Sequence, residues 1–188
     1  PREQIVLQEL SVFAEAAPAA VWTRTRRHLD SLVSLGLAEI SQNHGVTIHP
    51  ALREQIYLQL SSPLRRDLHV AAGNIVANYG HFTSAARHFL FAEEPELAIW
   101  TWYTHKAQEV EQGHSSAALA IFGAVDVQGL SHSADQEALG LLMAPLLLRA
   151  GKSRDGLTLL NQINWKEGAV SSALAHEVRG ELYSEVGE

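Results

Sequence analysis

Gly80-His-Phe-Thr-Ser-Ala-Ala86, Gly113-His-Ser-Ser-Ala-Ala-Leu119 and Gly151-Lys-Ser-Arg-Asp-Gly-Leu157 are three versions of one phrase, and they decide how this chain is read. Each opens on a glycine, passes through small or polar residues and enters an apolar run. Gly187 extends the series, at separations of 33, 38 and 36 residues. A recurrence of that length is the mark of stacked helix pairs, because one pair cannot bury its apolar face alone. Such arrays present an extended concave surface, so recognition is expected here rather than chemistry.

Between these glycines the apolar spacing predicts helices at 83–93, 95–112, 115–125, 134–150, 153–163 and 169–186. Their short connections make successive helices antiparallel. Ala85, Ala86, Ala117, Ala118, Gly156 and Ala173 are small enough to let neighbouring helices approach closely. The stretch 126–133 reads as the longest loop, and Pro145 is expected to kink its helix. Upstream, Ser62 followed by Pro63 suits an N-cap with proline in the first turn. The helix over 63–79 then carries Leu64, Leu68, Ala71, Ala72, Ile75, Val76 and Tyr79 as an apolar stripe long enough to connect two domains.

Further upstream the period changes. A helix over 3–16 places Val6, Leu10, Phe13 and Ala17 on one side, and Pro18 ends it. A helix over 25–35 turns Leu29, Leu32 and Val33 inward, with Gly36 placed for a left-handed C-cap. Leu37 to Ile40 and Val46 to Ile48 are β-compatible runs joined by Ser41-Gln-Asn-His-Gly45, whose glycine suits a hairpin turn. His49-Pro50 closes the hairpin, and Leu52, Ile56 and Leu60 predict a helix over 51–60. Three helices, the last of them following a two-stranded wing, describe a winged-helix domain. The expected fold is therefore mainly α: a winged helix with a short β-hairpin over 1–62, a connecting helix over 63–79 and an α-solenoid over 80–188.

Composition fits this reading, since 46% hydrophobic and 19% charged residues are ordinary for a globular chain. No cysteine is present, so a disulfide framework, a thiol nucleophile and a thiolate metal site are all excluded. Cytoplasm is the expected compartment. The longest apolar stretch, 138–148, contains Gly140 and Pro145 and is too short for a membrane span, so no membrane partner is expected. Because Pro1 stands in place of an initiating methionine and Gly187-Glu188 stops where another repeat is due, the chain reads as a segment of a larger protein.

Charge separates the two parts. Residues 1–79 hold seven basic and seven acidic side chains, whereas 80–188 hold seven basic and fourteen acidic, which carry the whole net charge of −7. An acidic array repels a phosphate backbone and favours protein or cationic partners. The one basic cluster, Arg24, Arg26 and Arg27, opens the helix before the wing, the element that enters the major groove in DNA-binding winged helices. Against DNA contact, the surrounding domain is neutral, so nucleic acid is not the expected partner.

Individual side chains narrow the chemistry. Ala150-Gly-Lys-Ser153 imitates the end of a phosphate-binding loop, but Leu146 stands where the first glycine is required. The ten histidines include no zinc-protease spacing, and His81, His88, His105 and His114 fall on repeat surfaces or turns. No serine lies in a nucleophile elbow and no pair of carboxylates has an apolar setting, so no catalytic and no metal residue is assigned and the segment is not expected to be an enzyme. Trp100, Trp102 and Tyr103, with Phe89 and Phe91 one helix earlier, form the aromatic cluster of interest. Trp102 and Tyr103 cannot fully share a helix face with Trp100, so at least one ring is expected toward solvent, as an anchor for a ligand or peptide. The competing and preferred reading packs these rings into the core.

The runs Leu29-Asp-Ser-Leu-Val-Ser-Leu-Gly-Leu-Ala-Glu-Ile40, Val46-Thr-Ile-His-Pro-Ala-Leu-Arg-Glu-Gln-Ile56 and Leu64-Arg-Arg-Asp-Leu-His-Val-Ala-Ala72 resemble the winged-helix exit of signal-transduction ATPases with numerous domains. Tyr79-Gly-His-Phe-Thr-Ser-Ala-Ala-Arg-His-Phe-Leu-Phe-Ala-Glu-Glu-Pro-Glu-Leu-Ala98 is similar to the first helical repeats that follow it in large LuxR-type transcriptional activators of the maltose-regulator kind. The later repeats are generically tetratricopeptide-like. The resemblance implies an upstream module of the same chain that holds ADP or ATP, a winged helix packed on it as part of a switch, and repeats that sense a protein or small-molecule inducer. It also implies a separate effector domain that gives the output. His49 occupies the place of a family histidine at the end of the wing that reaches the nucleotide's phosphates in the resting ADP state, with Ile48 and Pro50 where the family has Met and Asp. An imidazole N–H can donate to a phosphate oxygen, while the simpler role for His49 is to cap the next helix. The expected function is thus a noncatalytic switch and sensor segment of a regulatory ATPase, with no cofactor of its own. The alternative is a self-standing winged-helix DNA-binding regulator with a helical dimerisation or effector domain.

Overall fold

A computed structural model of the chain describes residues 2–19, 22, 25–41 and 45–187. It is mainly helical, with eleven α-helices and one three-stranded antiparallel sheet among the described residues. Its contacts divide it into two compact units, Pro1–Glu93 and Glu94–Glu188.

The first unit runs α1 (Arg2–Ser11), β1 (Ala17–Pro18), α2 (Arg26–Ser34), β2 (Ala38–Ile40), β3 (Gly45–Ile48), α3 (Pro50–Gln59), α4 (Ser62–Asn78) and α5 (Phe82–Phe91). β2 and β3 pair antiparallel, with Ala38 opposite Ile48 and Ile40 opposite Val46. β1 lies on the other side of β3, Ala17 opposite Val46. The helix expected over 3–16 is shorter than read: 12–16 are turn and bend, and β1 follows them. The helix stops at Ser11, whose hydroxyl donates to the Gln8 carbonyl at 2.7 Å while the Phe13 N–H donates to Leu10 at 3.1 Å. Phe13 and Ala17 remain buried, so the apolar pattern is used by the core but not on a helix. Pro18 has no N–H to lose, which suits a short edge strand.

Gly45 serves a different purpose from the one its sequence suggested. It lies outside the left-handed region, and a Cβ added there would stand 2.6 Å from the Ala16 Cβ. Its smallness lets the segment before β1 approach β3. The rest of the expected loop, 42–44, lies outside the described residues. Gly36 does cap α2 in the left-handed conformation, φ +68°, with the Leu37 N–H donating to the Leu32 carbonyl.

α4 begins one residue earlier than read, with Ser61 as N-cap. Its buried positions are His69, Ala72, Gly73 and Val76, whereas Leu64 and Tyr79 are exposed. α5 packs on this face with Thr83, Ala85, Ala86, His88 and Phe89. The helices approach closely because Gly73 meets the Phe89 ring, where an added Cβ would come within 2.5 Å.

The second unit contains α6 (Pro95–Thr104), α7 (Lys106–Glu111), α8 (Ser115–Phe122), a short 3-10 turn (Val127–Gly129), α9 (Ser133–Arg149), α10 (Ser153–Gln162) and α11 (Val170–Val186). The single helix expected over 95–112 is two, broken at His105, whose Nδ1–H donates to the Thr101 carbonyl at 2.9 Å and closes α6. In the expected loop the Asp126 carboxylate caps the 3-10 turn by accepting from the Gln128 N–H at 3.1 Å. α9 packs against α6, α8, α10 and α11, and it continues through Pro145 to Arg149. Ala144, Leu157, Leu160 and Leu182 make a core in which Gly156 sits beneath Leu182. Ala173 is exposed, and Ala175 takes the close-packing place expected for it.

One turn recurs in both units. Gly80, Gly113 and Gly151 have φ of +79°, +84° and +70°. The N–H groups of the following His81, His114 and Lys152 donate back to the carbonyls of Val76, Glu109 and Leu147 at 3.0, 2.9 and 2.8 Å. Those of the glycines themselves donate to Ala77, Val110 and Leu148, completing a Schellman cap. The residue after each glycine is also the N-cap of the next helix. The repeated phrase is therefore a three-residue connection between two helices, and Gly187 ends α11 in the same conformation, φ +80°.

Candidate functional site

The aromatic residues of α6 separate by burial. Trp102 is 1% exposed and packs edge-on against Phe122, with 6.1 Å between ring centroids, so it belongs to the core and not to a ligand surface. The reason is helical geometry: Ala98, Ile99 and Trp102 lie along the buried face, whereas Leu97, Trp100 and Thr104 lie along the open one. Trp100 keeps 41% of its surface exposed, and so does Leu97 one turn earlier.

Trp100 is nonetheless held. Its Nε1–H donates to Asp135 Oδ1 at 2.6 Å, and Asp135 is buried in the first turn of α9, where the helix dipole favours a carboxylate. The Tyr103 ring stands edge-on to the indole, 5.7 Å away at 86°, and Lys106 Nζ lies 4.4 Å from the Tyr103 ring centre. Burial of the lysine's surroundings lowers its pKa. Asp135 and Lys106 were not found by sequence reasoning. Asp135 is 35 positions from Trp100, and nothing in its local pattern marks it as a partner.

An indole with its N–H already satisfied offers an apolar face in a fixed orientation. That is the chemistry of an anchor for an apolar or aromatic group, with the Lys106 ammonium on the neighbouring Tyr103 ring for an anionic one.

His49 sits between β3 and α3 and is exposed. Its Nδ1 accepts from the Ala51 N–H at 3.3 Å, so it caps α3. An Nδ1 that accepts leaves the proton on Nε2 in the neutral ring. The cap and an outward N–H donor are therefore compatible on one side chain rather than alternatives.

Of the arginines, Arg24 lies outside the described residues. Arg26 is paired with Asp30 at 3.0 Å on exposed α2, and Arg27 is exposed beside it. The pairing cancels part of the charge that phosphate contact needs.

Of the four histidines expected on repeat surfaces or turns, His81, His105 and His114 lie at helix junctions and His88 departs. His114 does lie at a turn, bonded through Nδ1 at 2.8 Å to the fully buried Glu109. His88, expected on a surface, is buried, and so is His69. Their Nδ1 atoms are 3.0 Å apart, and Tyr57 Oη is 3.0 Å from His69 Nε2. Burial is the main cause that lowers both imidazoles to a pKa of about 4, with Arg65 adding to the effect at His69, and His69 and Arg87 at His88. The legible signal was the spacing His69, Ala72, Gly73, Val76, which is a helical stripe once a histidine and a glycine are admitted to it.

Among the described residues no three His, Asp or Glu side chains are grouped to hold a metal ion, and no helix is long and apolar enough to cross a membrane. Gly151 and Lys152 of the loop-like Ala150-Gly-Lys-Ser153 form the connection between α9 and α10. Comparison of the chain with protein families, with curated proteins and with solved structures finds no match.

Proposed function

We propose that this chain is a noncatalytic switch and recognition segment of a larger regulatory ATPase, in which a winged helix couples nucleotide state to tetratricopeptide-like helical hairpins. The observation that carries the reading is the helix–Gly–helix connection, built three times with the same hydrogen bonds. A chain that repeats one hairpin unit uses it as scaffold for a binding surface. In this reading Trp100, with Tyr103 and Lys106, receives a protein or small-molecule inducer. His49 offers its Nε2–H to a phosphate of ADP held by an upstream module of the same protein.

The resemblance of residues 29–98 supports the ATPase context, and the exposed His49, which caps α3 through Nδ1, supports the phosphate contact. The parent protein, purified with and without His49→Ala, is expected to carry ADP that exchanges faster in the variant. Absence of adenine nucleotide from both proteins would overturn the switch reading. Salt-dependent duplex binding by the chain, abolished by alanine at Arg24, Arg26 and Arg27, would establish the DNA-binding alternative in its place.

A further inference from the structure

The first unit holds a chain of polar rings that the proposed function does not use, half-buried at Tyr57 and buried at His69 and His88. Tyr57 comes from α3, His69 from α4 and His88 from α5, so three helices meet through two hydrogen bonds of 3.0 Å each. Two apolar rings adjoin it: buried Phe13, from the segment after α1, stands edge-on to His88 at 5.3 Å, and exposed Phe91 lies against His69 at 5.2 Å.

The Nδ1···Nδ1 contact requires one ring to donate and the other to accept, so the pair is intact only while at least one imidazole is neutral. The charged groups around it are the wrong sign to tolerate a second proton. Arg65 of α4 stacks over the Tyr57 ring at 4.5 Å, and Arg87 of α5 adjoins His88 in sequence. Arg53 of α3 donates to the Phe13 carbonyl at 3.4 Å. The nearby carboxylates are already engaged, Glu15 with Arg87 at 3.7 Å and Glu93 with Arg66 at 2.7 Å. Among the described residues neither imidazole is hydrogen-bonded to a carboxylate.

We propose that the Tyr57–His69–His88 chain is an acid-sensitive latch, which fastens α5 and the segment after α1 to α4 at neutral pH and releases them when both imidazoles take up protons. Opening hydrates the two rings and returns them to an ordinary histidine pKa of about 6.5. Below that value the open form gains a proton on each ring that the closed form refuses until the pH nears its own pKa of about 4. The opening constant therefore rises about tenfold per pH unit for each histidine and about a hundredfold for the pair.

The test is amide hydrogen exchange of the whole chain from pH 7 to 4.5, corrected for the chemical exchange rate and read peptide by peptide. Peptides within 82–91 are expected to lose protection with a slope of about two decades per pH unit below 6.5. His88→Leu should halve that slope, and His69→Leu with His88→Leu should abolish it. A flat profile in the natural chain, an undiminished slope in the double variant, or equal loss across 94–188 would each overturn the latch. Should the variants not fold, NMR titration of the natural chain decides: imidazoles that protonate only as 82–91 opens support it, and protonation near pH 6.5 in the closed form overturns it.

Discussion

Gly73 faces the Phe89 ring so closely that an added methyl would stand 2.5, 2.8 and 2.9 Å from three of its carbons. Phe89 is 1% exposed and has no room to retreat, so Gly73→Ala is expected to lower the stability of the first unit by about 1–3 kcal/mol despite the better helix propensity of alanine. Urea unfolding checks this, and a gain in stability would show that the ring moves aside freely. Trp100 makes a complementary case. Trp100→Phe retains an aromatic face but removes the donor from buried Asp135, so a loss of about 1–3 kcal/mol is expected in the second unit. Unchanged stability would mean that water replaces the indole N–H. Neither partner was legible locally, because Phe89 and Asp135 are reached across helices.

Helical connections were the most legible feature at the scale of elements, because a left-handed residue after a helix is a local requirement. Gly80, Gly113 and Gly151 have open space where a Cβ would go, so their constraint is the positive φ alone. Alanine at any one of them is expected to cost about 1–2 kcal/mol. Asparagine, which tolerates this conformation, should cost less than alanine at the same position, and equal midpoints for the two variants of Gly151 in urea would contradict that account. The ends that sequence misplaced were those decided by distant partners. α1 stops at Ser11 because the next segment is drawn to β3 as an added strand, and Gly45 is small because Ala16 lies against it. The split between α6 and α7 is a local matter: at His105 the backbone leaves the helical region, φ −111° and ψ 13°, while its side chain donates to the Thr101 carbonyl, and periodicity registers neither.

Acid should act unequally on the two units. A histidine whose folded pKa is depressed contributes stability that is complete above its unfolded pKa of about 6.5 and is lost as pH falls toward the folded value. His69 and His88, both lowered to about 4, therefore weaken the first unit between pH 6.5 and 4, by roughly 1.4 kcal/mol per pH unit each. At pH 5.5 the loss relative to pH 7 is expected to approach about 3 kcal/mol, a large share of the stability of a small domain. Urea titrations at both pH values, followed by exchange in peptides from each unit, should show the midpoint falling for Pro1–Glu93 by more than for Glu94–Glu188. Parallel shifts in the two units would remove the buried pair as the cause.

By itself the sequence determined the mainly helical content, the recurring glycine turns, the β2–β3 pair and the left-handed caps, since each depends on residues within a few positions of one another. Periodicity also marked much of the inward face, Val6, Leu10, Leu29 and Leu32 among it, whereas tertiary structure alone decided which partner each residue meets. It buried Trp102 and left Trp100 open, joined β1 to the sheet, and placed His69 and His88 in contact with Tyr57. The physical reason is that burial and hydrogen bonding across helices belong to pairs of residues far apart in the chain, and one strand of sequence carries no record of the partner each will meet.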